Sequence, residues 1–231
     1  MGQIEYGGRD NLDVMAHAHN YNRYLLNLVL ANARPKDRLI DFGAGNGTFA
    51  VPVAKAGFNV TCIETDPVLC AALQDQAMTV ITDLDQIADG SVHFLYSLNV
   101  LEHIEDDLAI AQLWYRKLAP GGHLLVFVPA FQALYTSMDR EVGHFRRYTK
   151  ASLSNLLQSA QFQIDRSAYV DSLGVLATLL YKLFDQGSGK VDLGMLKIYD
   201  RWIFPLSRTI DLVTHTLGGK NVLVRAHKPL A

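Results

Sequence analysis

The sequence predicts an α/β protein built on a doubly wound, mainly parallel sheet, and three observations carry that expectation. Short unbroken apolar runs alternate with segments of helical period, the order that places helices on both faces of a parallel sheet. The first of these runs ends in a glycine turn, "DFGAGNG", leading directly into a helical segment. The second ends in acids, "CIETDP", about twenty residues further on. In an open parallel sheet both features fall at the carboxyl ends of strands, where ligands bind.

The elements follow in order. "HNYNRYLLNLVLANA" has Tyr21, Leu25 and Leu28 on one helical face and stops before Pro35. "RLIDFG" is the first strand, "GTFAVPVAKAG" its helix, and "NVTCIET" the second strand. "DPVLCAALQDQ" is the next helix, "MTVIT" a short third strand and "SVHFLYSL" the fourth. The helix in "EDDLAIAQLWYRKLAPGG" has acids in its first turn and Arg116 and Lys117 in its last, matching the helix dipole, and Pro120-Gly121-Gly122 is read as its terminator. "HLLVFVPA" is strand five, "TKASLSNLLQSA" a helix with Thr149 as N-cap, "FQIDRSAYV" strand six and "NVLVRAHKP" the last strand.

Between the last two strands lies a leucine-rich insertion, about residues 171–220, with Tyr181, Phe184, Trp202 and Phe204, broken at "DQGSGK". Two amphipathic helices are expected there. They could form a lid, a dimer surface or a face resting on lipid, or simply pack on the sheet. The whole chain, 1–231, reads as one domain with an N-terminal helical cap at about 11–34.

Composition narrows the function. Of 231 residues, 49% are hydrophobic and 19% charged, with a net charge of -2, so the basic footprint of a nucleic-acid binder is missing at the whole-chain level. The two cysteines, Cys62 and Cys70, fit no metal spacing, and no metal is expected; Cys62 in an apolar run suits a reduced cytoplasm. The polar N-terminus lacks a signal-peptide core, and no apolar run reaches eighteen residues. A cytoplasmic chain without a transmembrane span is the expectation, monomeric or homodimeric, with peripheral membrane contact through the insertion.

The glycine turn carries the most chemistry. Gly43, Gly45 and Gly47 allow a tight turn and close approach of backbone to a ligand. Asp41 can fix the turn or reach a ligand amine. A dinucleotide fingerprint requires G-x-G-x-x-G; here the third glycine arrives one residue early and Thr48 takes its place. Glu64, ending strand two, can accept both hydroxyls of a ribose. A purely structural turn with a solvated glutamate is the rival reading.

"LIDFGAGNG" with "CIETDP", and "SLNVLEHIEDD" with "LAPGGHLLVFVPA", resemble the motifs of class I S-adenosylmethionine-dependent methyltransferases. The resemblance runs from about Asn20 to the final strand. It implies a seven-stranded, mainly parallel, Rossmann-like methyltransferase sheet whose last strand inserts antiparallel between strands five and six. It also implies S-adenosylmethionine as cofactor, with S-adenosylhomocysteine as product. Gly43, Ala44, Gly45 and Gly47 would approach its methionine and ribose, and Glu64 with Thr65 its ribose diol. Asp83 with Leu84 would meet the adenine, with Asp85 an alternative to Asp83, and Asn99 would lie near the sulfonium. Tyr21, Asn22 and Tyr24, with Arg23, would close over the methionine end, unless the tyrosines simply pack their helix on the sheet. His103 recurs in the family signature as a base or cofactor contact, against a structural histidine bonding backbone.

The stretch "LYTSMDREVGHFRRYTKASL" gathers Tyr135, Asp139, Arg140, His144, Arg146, Arg147, Tyr148 and Lys150 behind strand five. It resembles a "GH-aromatic-R-R-Y" segment in a subgroup of these enzymes. His144 is read as the base that removes the acceptor proton. Arg146 or Arg147 would hold an anionic group, with Tyr135 and Tyr148 beside them. A loop pinned by Arg–Asp pairs is the competing reading. The expected activity is methyl transfer to an O, N or C atom of a small-molecule or lipid-like, anionic acceptor. A nicotinamide-dependent oxidoreductase and a non-catalytic cofactor-binding module are the alternatives.

Overall fold

The computed structural model describes residues 9–184, 187 and 192–230. The expectation of a polar N-terminus without a leader falls on residues 1–8, the break at "DQGSGK" falls almost wholly on 185–190, and the Phe184 side chain is likewise outside the described part.

Seven strands form one sheet: β1 (Arg38–Phe42), β2 (Asn59–Ile63), β3 (Thr79–Ile81), β4 (Val92–Leu98), β5 (Leu118–Pro129), β6 (Gln163–Val170) and β7 (Asn221–His227), in the spatial order β3-β2-β1-β4-β5-β7-β6. All neighbours are parallel except β7, which runs antiparallel between β5 and β6. The helices are α1 (Arg9–Met15), α2 (His19–Asn32), α3 (Ala50–Lys55), α4 (Pro67–Asp75), α5 (Asp107–Lys117), α6 (Ser137–Glu141), α7 (Lys150–Ser159), α8 (Ser172–Phe184), α9 (Leu193–Ile198) and α10 (Phe204–Thr214). The strands read as continuous apolar runs because both faces of the sheet are covered. Leu39, Phe94 and Leu125 point into one core with Leu25 and Val29 of α2. Their neighbours Ile40, Leu95 and Leu124 point into the other, with the fully buried Trp114 of α5.

Two sequence expectations are corrected. Pro120-Gly121-Gly122 does not lie outside an element: α5 ends at Lys117 and β5 begins at Leu118. The three residues form an irregular start to the strand, where the register to β4 shifts between Val92 and Phe94. A Cβ on Gly122 would sit 2.8 Å from the Ala119 carbonyl oxygen, so the backbones approach too closely there for a side chain. The insertion, expected as two helices, contains α8, α9 and α10, with a π-helical segment, Tyr199–Ile203, joining the last two.

That insertion packs on the body through buried acids. The N-cap position of α2, Ala18, offers no side-chain cap. Asp200, from the π-helical segment, supplies one instead: its carboxylate accepts from the Asn20 and Tyr21 amides, each at 2.9 Å. Asp211 does the same for α8, accepting from the amides of Asp171 and Ser172 at 2.7 and 2.9 Å. Phe204 is buried against Tyr21 and Tyr24. Asp200→Ala would orphan two half-buried amides and is expected to lower stability by about 1–3 kcal/mol, read as a fall in the melting temperature. The outward face of the insertion exposes Leu176, Leu180, Leu183, Met195, Ile198, Trp202, Leu212 and Val213. Among the described residues no helix is long and apolar enough to cross a membrane.

Candidate active site

The carboxyl ends of β1, β4 and β5 and the amino end of the antiparallel β7 meet at one edge of the sheet, since Pro129 pairs with Asn221. A cavity of about 220 Å³ opens there. Its walls come from α1 and the turn after it (Leu12, Met15, Ala16), the start of α2 (Tyr21, Asn22) and the glycine turn (Gly43, Ala44, Gly45, Asn46, Thr48, Phe49). The loops after β4 and β5 add Asn99, Glu102, His103, Met138, Asp139, Val142, His144 and Arg147, and Lys220 and Asn221 close the far end.

The turn is held from both sides. Gly43 has φ +78°, and a Cβ there would lie 2.5 Å from Val100, so only glycine fits. Gly47 has φ +86° and faces Val51 and Leu73; it seats the following helices and does not line the cavity. Glu64 pins the turn to β2: one carboxylate oxygen accepts from the Gly45 amide at 2.8 Å, the other from Thr65 and Asp66 at 2.8 and 3.0 Å. Asp66 caps α4. Glu64, Thr65, Asp83 and Leu84 lie outside the cavity wall, at the neighbouring strand ends. Between the two candidate acids after β3, Asp85 is engaged by Lys117 and Arg116 at 3.4 and 3.7 Å, while the exposed Asp83 accepts only from the Asp85 amide among its described side-chain bonds.

Asp41 is buried beneath the turn and does not reach the cavity. Burial pushes its carboxyl up to about 7; the nearby Tyr96 hydroxyl, which falls short of hydrogen-bonding geometry, and the Ala50 amide pull it down, and the charge of Glu64 pushes it up. Of its two expected uses, the structure supports fixing the turn, through Ala50 at the start of α3. A carboxyl raised this way gives stability that is full below its unfolded value near 3.8 and lost as pH rises through about 7. Ligand-free wild type is therefore expected to lose up to on the order of 4 kcal/mol between pH 4 and 8 relative to Asp41→Asn, measured as the difference between their melting curves.

Tyr21 and Asn99 meet at the cavity, Asn99 Nδ2 donating to the Tyr21 hydroxyl at 3.1 Å. Asn99 holds φ +56° to turn the chain out of β4. Tyr24, expected beside Tyr21, is turned away: it packs on Phe204 and carries the Arg208 guanidinium 4.1 Å over its ring. Arg23 is exposed.

In the loop after β5, Asp139 is the hub. Its buried carboxylate takes a two-pronged hydrogen bond from Arg147 at 2.8 and 2.7 Å and bonds His144 Nδ1 at 2.7 Å. Burial works to raise Asp139, but His144 and Arg147 outweigh it and hold it well below the usual carboxylate range. The His144 ring meets His103 edge-on, centroids 4.5 Å apart, and its Nε2 lies 3.8 Å from Glu102 Oε1. Glu102 is fully buried, which pushes it up to about 8; burial and His144 push His103 down to about 4. Three of the expected acceptor contacts lie elsewhere. Arg146 bonds the Glu105 carbonyl and Asp107 at 2.6 and 2.8 Å, Tyr148 donates to Asp107, and Tyr135 donates to the His144 carbonyl. Arg147 alone of that group lines the cavity, and it is already paired. The pinned-loop reading therefore describes both arginines.

Glu102, Lys220 and Asn221 were not singled out from sequence, whereas Asp139 was gathered with the loop after β5. For Glu102 a signal existed, an acid beside His103 at a strand end; for Lys220 and Asn221 none did, because only the antiparallel β7 brings them here.

Residues 15–167 match a family model described as a methyltransferase domain. The chain belongs to that methyltransferase family. The match ends inside β6, short of the insertion and of Lys220 and Asn221. A ubiquinone biosynthesis O-methyltransferase from Xanthomonas campestris pv. campestris (strain B100) is 28% identical over 170 residues, covering 63% of this chain and 71% of that protein. Among solved structures, a SAM-dependent methyltransferase from Thermotoga maritima superposes with a TM-score of 0.64 at 18% identity, over 95% of this chain and 94% of that one. Geranyl diphosphate C-methyltransferase from Streptomyces coelicolor A3(2) gives a TM-score of 0.63 at 12% identity, over 89% and 78%.

The methyltransferase uses S-adenosylmethionine, and its residues fit that group: a glycine turn that no side chain could follow, a carboxylate beside it, and a largely apolar cavity. The nicotinamide alternative falls with the family match.

Proposed function

We propose that this methyltransferase methylates an oxygen of a small, amphiphilic acceptor seated in the cavity beside the glycine turn. The observation that carries the reading is the junction, within one cavity, of the turn of β1 with the Glu102–His103–His144 wall. S-adenosylmethionine supplies, when bound, an electrophilic methyl on a positive sulfonium. The chain's part is alignment, since in-line displacement gains much of its rate from holding donor carbon and acceptor atom in contact. Gly43 to Asn46, Glu64 and Asn99 hold the donor side. The wall of Glu102, His103 and His144 meets the acceptor oxygen, whose hydroxyl proton must leave as the new bond to carbon forms.

Leu12, Met15, Phe49, Met138 and Val142 give the acceptor an apolar bed, and Lys220 adds a cation for an anionic group now that Arg146 and Arg147 are known to be paired. One relative supports the oxygen acceptor, being named for O-methylation in ubiquinone biosynthesis; a neighbour in fold is named for C-methylation, of geranyl diphosphate. The exposed apolar face of α8 to α10 supports acceptors drawn from a lipid phase, at a peripheral membrane contact.

The test is transfer of labelled methyl from S-adenosylmethionine to hydroxylated aromatics, isoprenoid diphosphates and amines, free or in vesicles. Transfer to an oxygen acceptor is expected. Transfer to amines alone would overturn the oxygen reading, and cofactor binding without any transfer would favour the binding-module alternative.

A further inference from the structure

Alignment leaves one part of the wall unexplained. Glu102 is fully buried, and neither carboxylate oxygen has a hydrogen-bond partner. A buried carboxyl group left without partners is costly to the fold, and native proteins leave few such groups without a use. Two imidazoles converge on it. His144 Nε2 lies 3.8 Å from Glu102 Oε1 while Asp139 holds its Nδ1. His103, edge-on to His144, hydrogen-bonds the Val142 backbone. One ligand atom from each of the three residues lies within 4.8 Å of the others.

We infer that Glu102, His103 and His144 are the protein ligands of a divalent-cation site that takes a first-row transition ion such as Zn2+ or Co2+. The donor set, two imidazoles and one carboxylate, suits those ions better than the all-oxygen preference of Ca2+ or Mg2+. Ligand atoms about 2.0–2.2 Å from one ion lie roughly 3.0–3.6 Å apart. The 3.8 Å between His144 and Glu102 therefore needs only a small side-chain movement to close. Asp139 acts as the orienting carboxylate behind a metal-binding imidazole, and the Arg147 fork fixes Asp139 in turn.

All three ligands line the cavity, so the ion's open positions face the acceptor and accept an oxygen donor from it. That last step rests on the methyl-transfer reading; ion binding does not.

The experiment titrates the untagged, chelator-stripped chain with Zn2+ alone and Co2+ alone, by calorimetry and by the visible absorption of bound Co2+. One ion per chain is expected. Glu102→Gln, nearly isosteric, should abolish that site, as should His103→Gln, and circular dichroism verifies that each variant is folded. Asp139→Asn, which among the three ligands touches only the His144 imidazole, should weaken the ion by about 10–100-fold. Wild type that binds neither ion below millimolar concentration, or folded Glu102→Gln that binds as tightly as wild type, overturns the site. No S-adenosylmethionine or acceptor is present, so failure of the donor reading leaves this result intact, and a metal-blind chain that still binds the donor rejects this site alone.

Discussion

Replacing His144 by asparagine is expected to lower turnover by about 10²–10⁴-fold, the range seen when the group that serves a transferring proton is lost. The residue combines three features that make its loss severe. Its Nδ1 is bonded to a buried carboxylate, its Nε2 points toward Glu102, and its ring lines the same cavity as the glycine turn. Asparagine keeps a polar side chain and preserves a partner for Asp139, so the fold should survive. Affinity for S-adenosylmethionine should stay within a few-fold of wild type, because the donor side is built from other residues. Labelled-methyl transfer paired with calorimetric titration of the cofactor measures both. A parallel loss of cofactor affinity would move His144 out of the acceptor wall.

Glu64→Ala is expected to do the reverse, weakening S-adenosylmethionine by about 100-fold, since hydrogen bonds to a charged group contribute about 1.5–3 kcal/mol each. In the ligand-free chain Glu64 already accepts three backbone amides, so it shapes the turn before any ribose arrives. On the proposed donor reading, alanine removes the ribose acceptor and the brace on Gly45 together. Glu64→Gln separates them: it keeps one acceptor oxygen for the backbone and lacks the charge. Titration of both variants with cofactor and with S-adenosylhomocysteine gives the comparison. Near wild-type affinity in Glu64→Ala would place the ribose elsewhere.

Much of the fold was legible in the sequence because a parallel sheet covered on both faces needs apolar side chains at every strand position. That is why β1, β2, β4 and β5 stood out as unbroken runs, and why the glycine turn and Glu64 fell where a ligand edge must be. The start of β5 was hidden for a physical reason: Pro120, Gly121 and Gly122 are local punctuation, but pairing with β4 draws the chain on through them. The insertion was visible as amphipathic, yet its third helix and its attachment were not, since its caps come from residues far along the chain. Asp200 satisfies amides 180 and 179 positions away.

The acceptor side shows the same division. Arg146 and Arg147 were correctly seen as clustered, but charge in sequence does not reveal its partner, and both are spoken for by Asp107 and Asp139. Tyr21 and Tyr24 are chemically alike and one turn apart; the position of Phe204 and Arg208 sends one to the cavity and the other to the insertion. By itself, then, the sequence determined the alternating α/β pattern, the glycine turn with the acid that braces it, and the class of chemistry. Local hydrogen bonding, chain conformation and alternation of burial are written in neighbouring residues. Only the tertiary structure decided which polar groups face the cavity, because antiparallel β7 delivers Lys220 and Asn221 there. Two loops, after β4 and after β5, must meet before Glu102, His103 and His144 become neighbours at all.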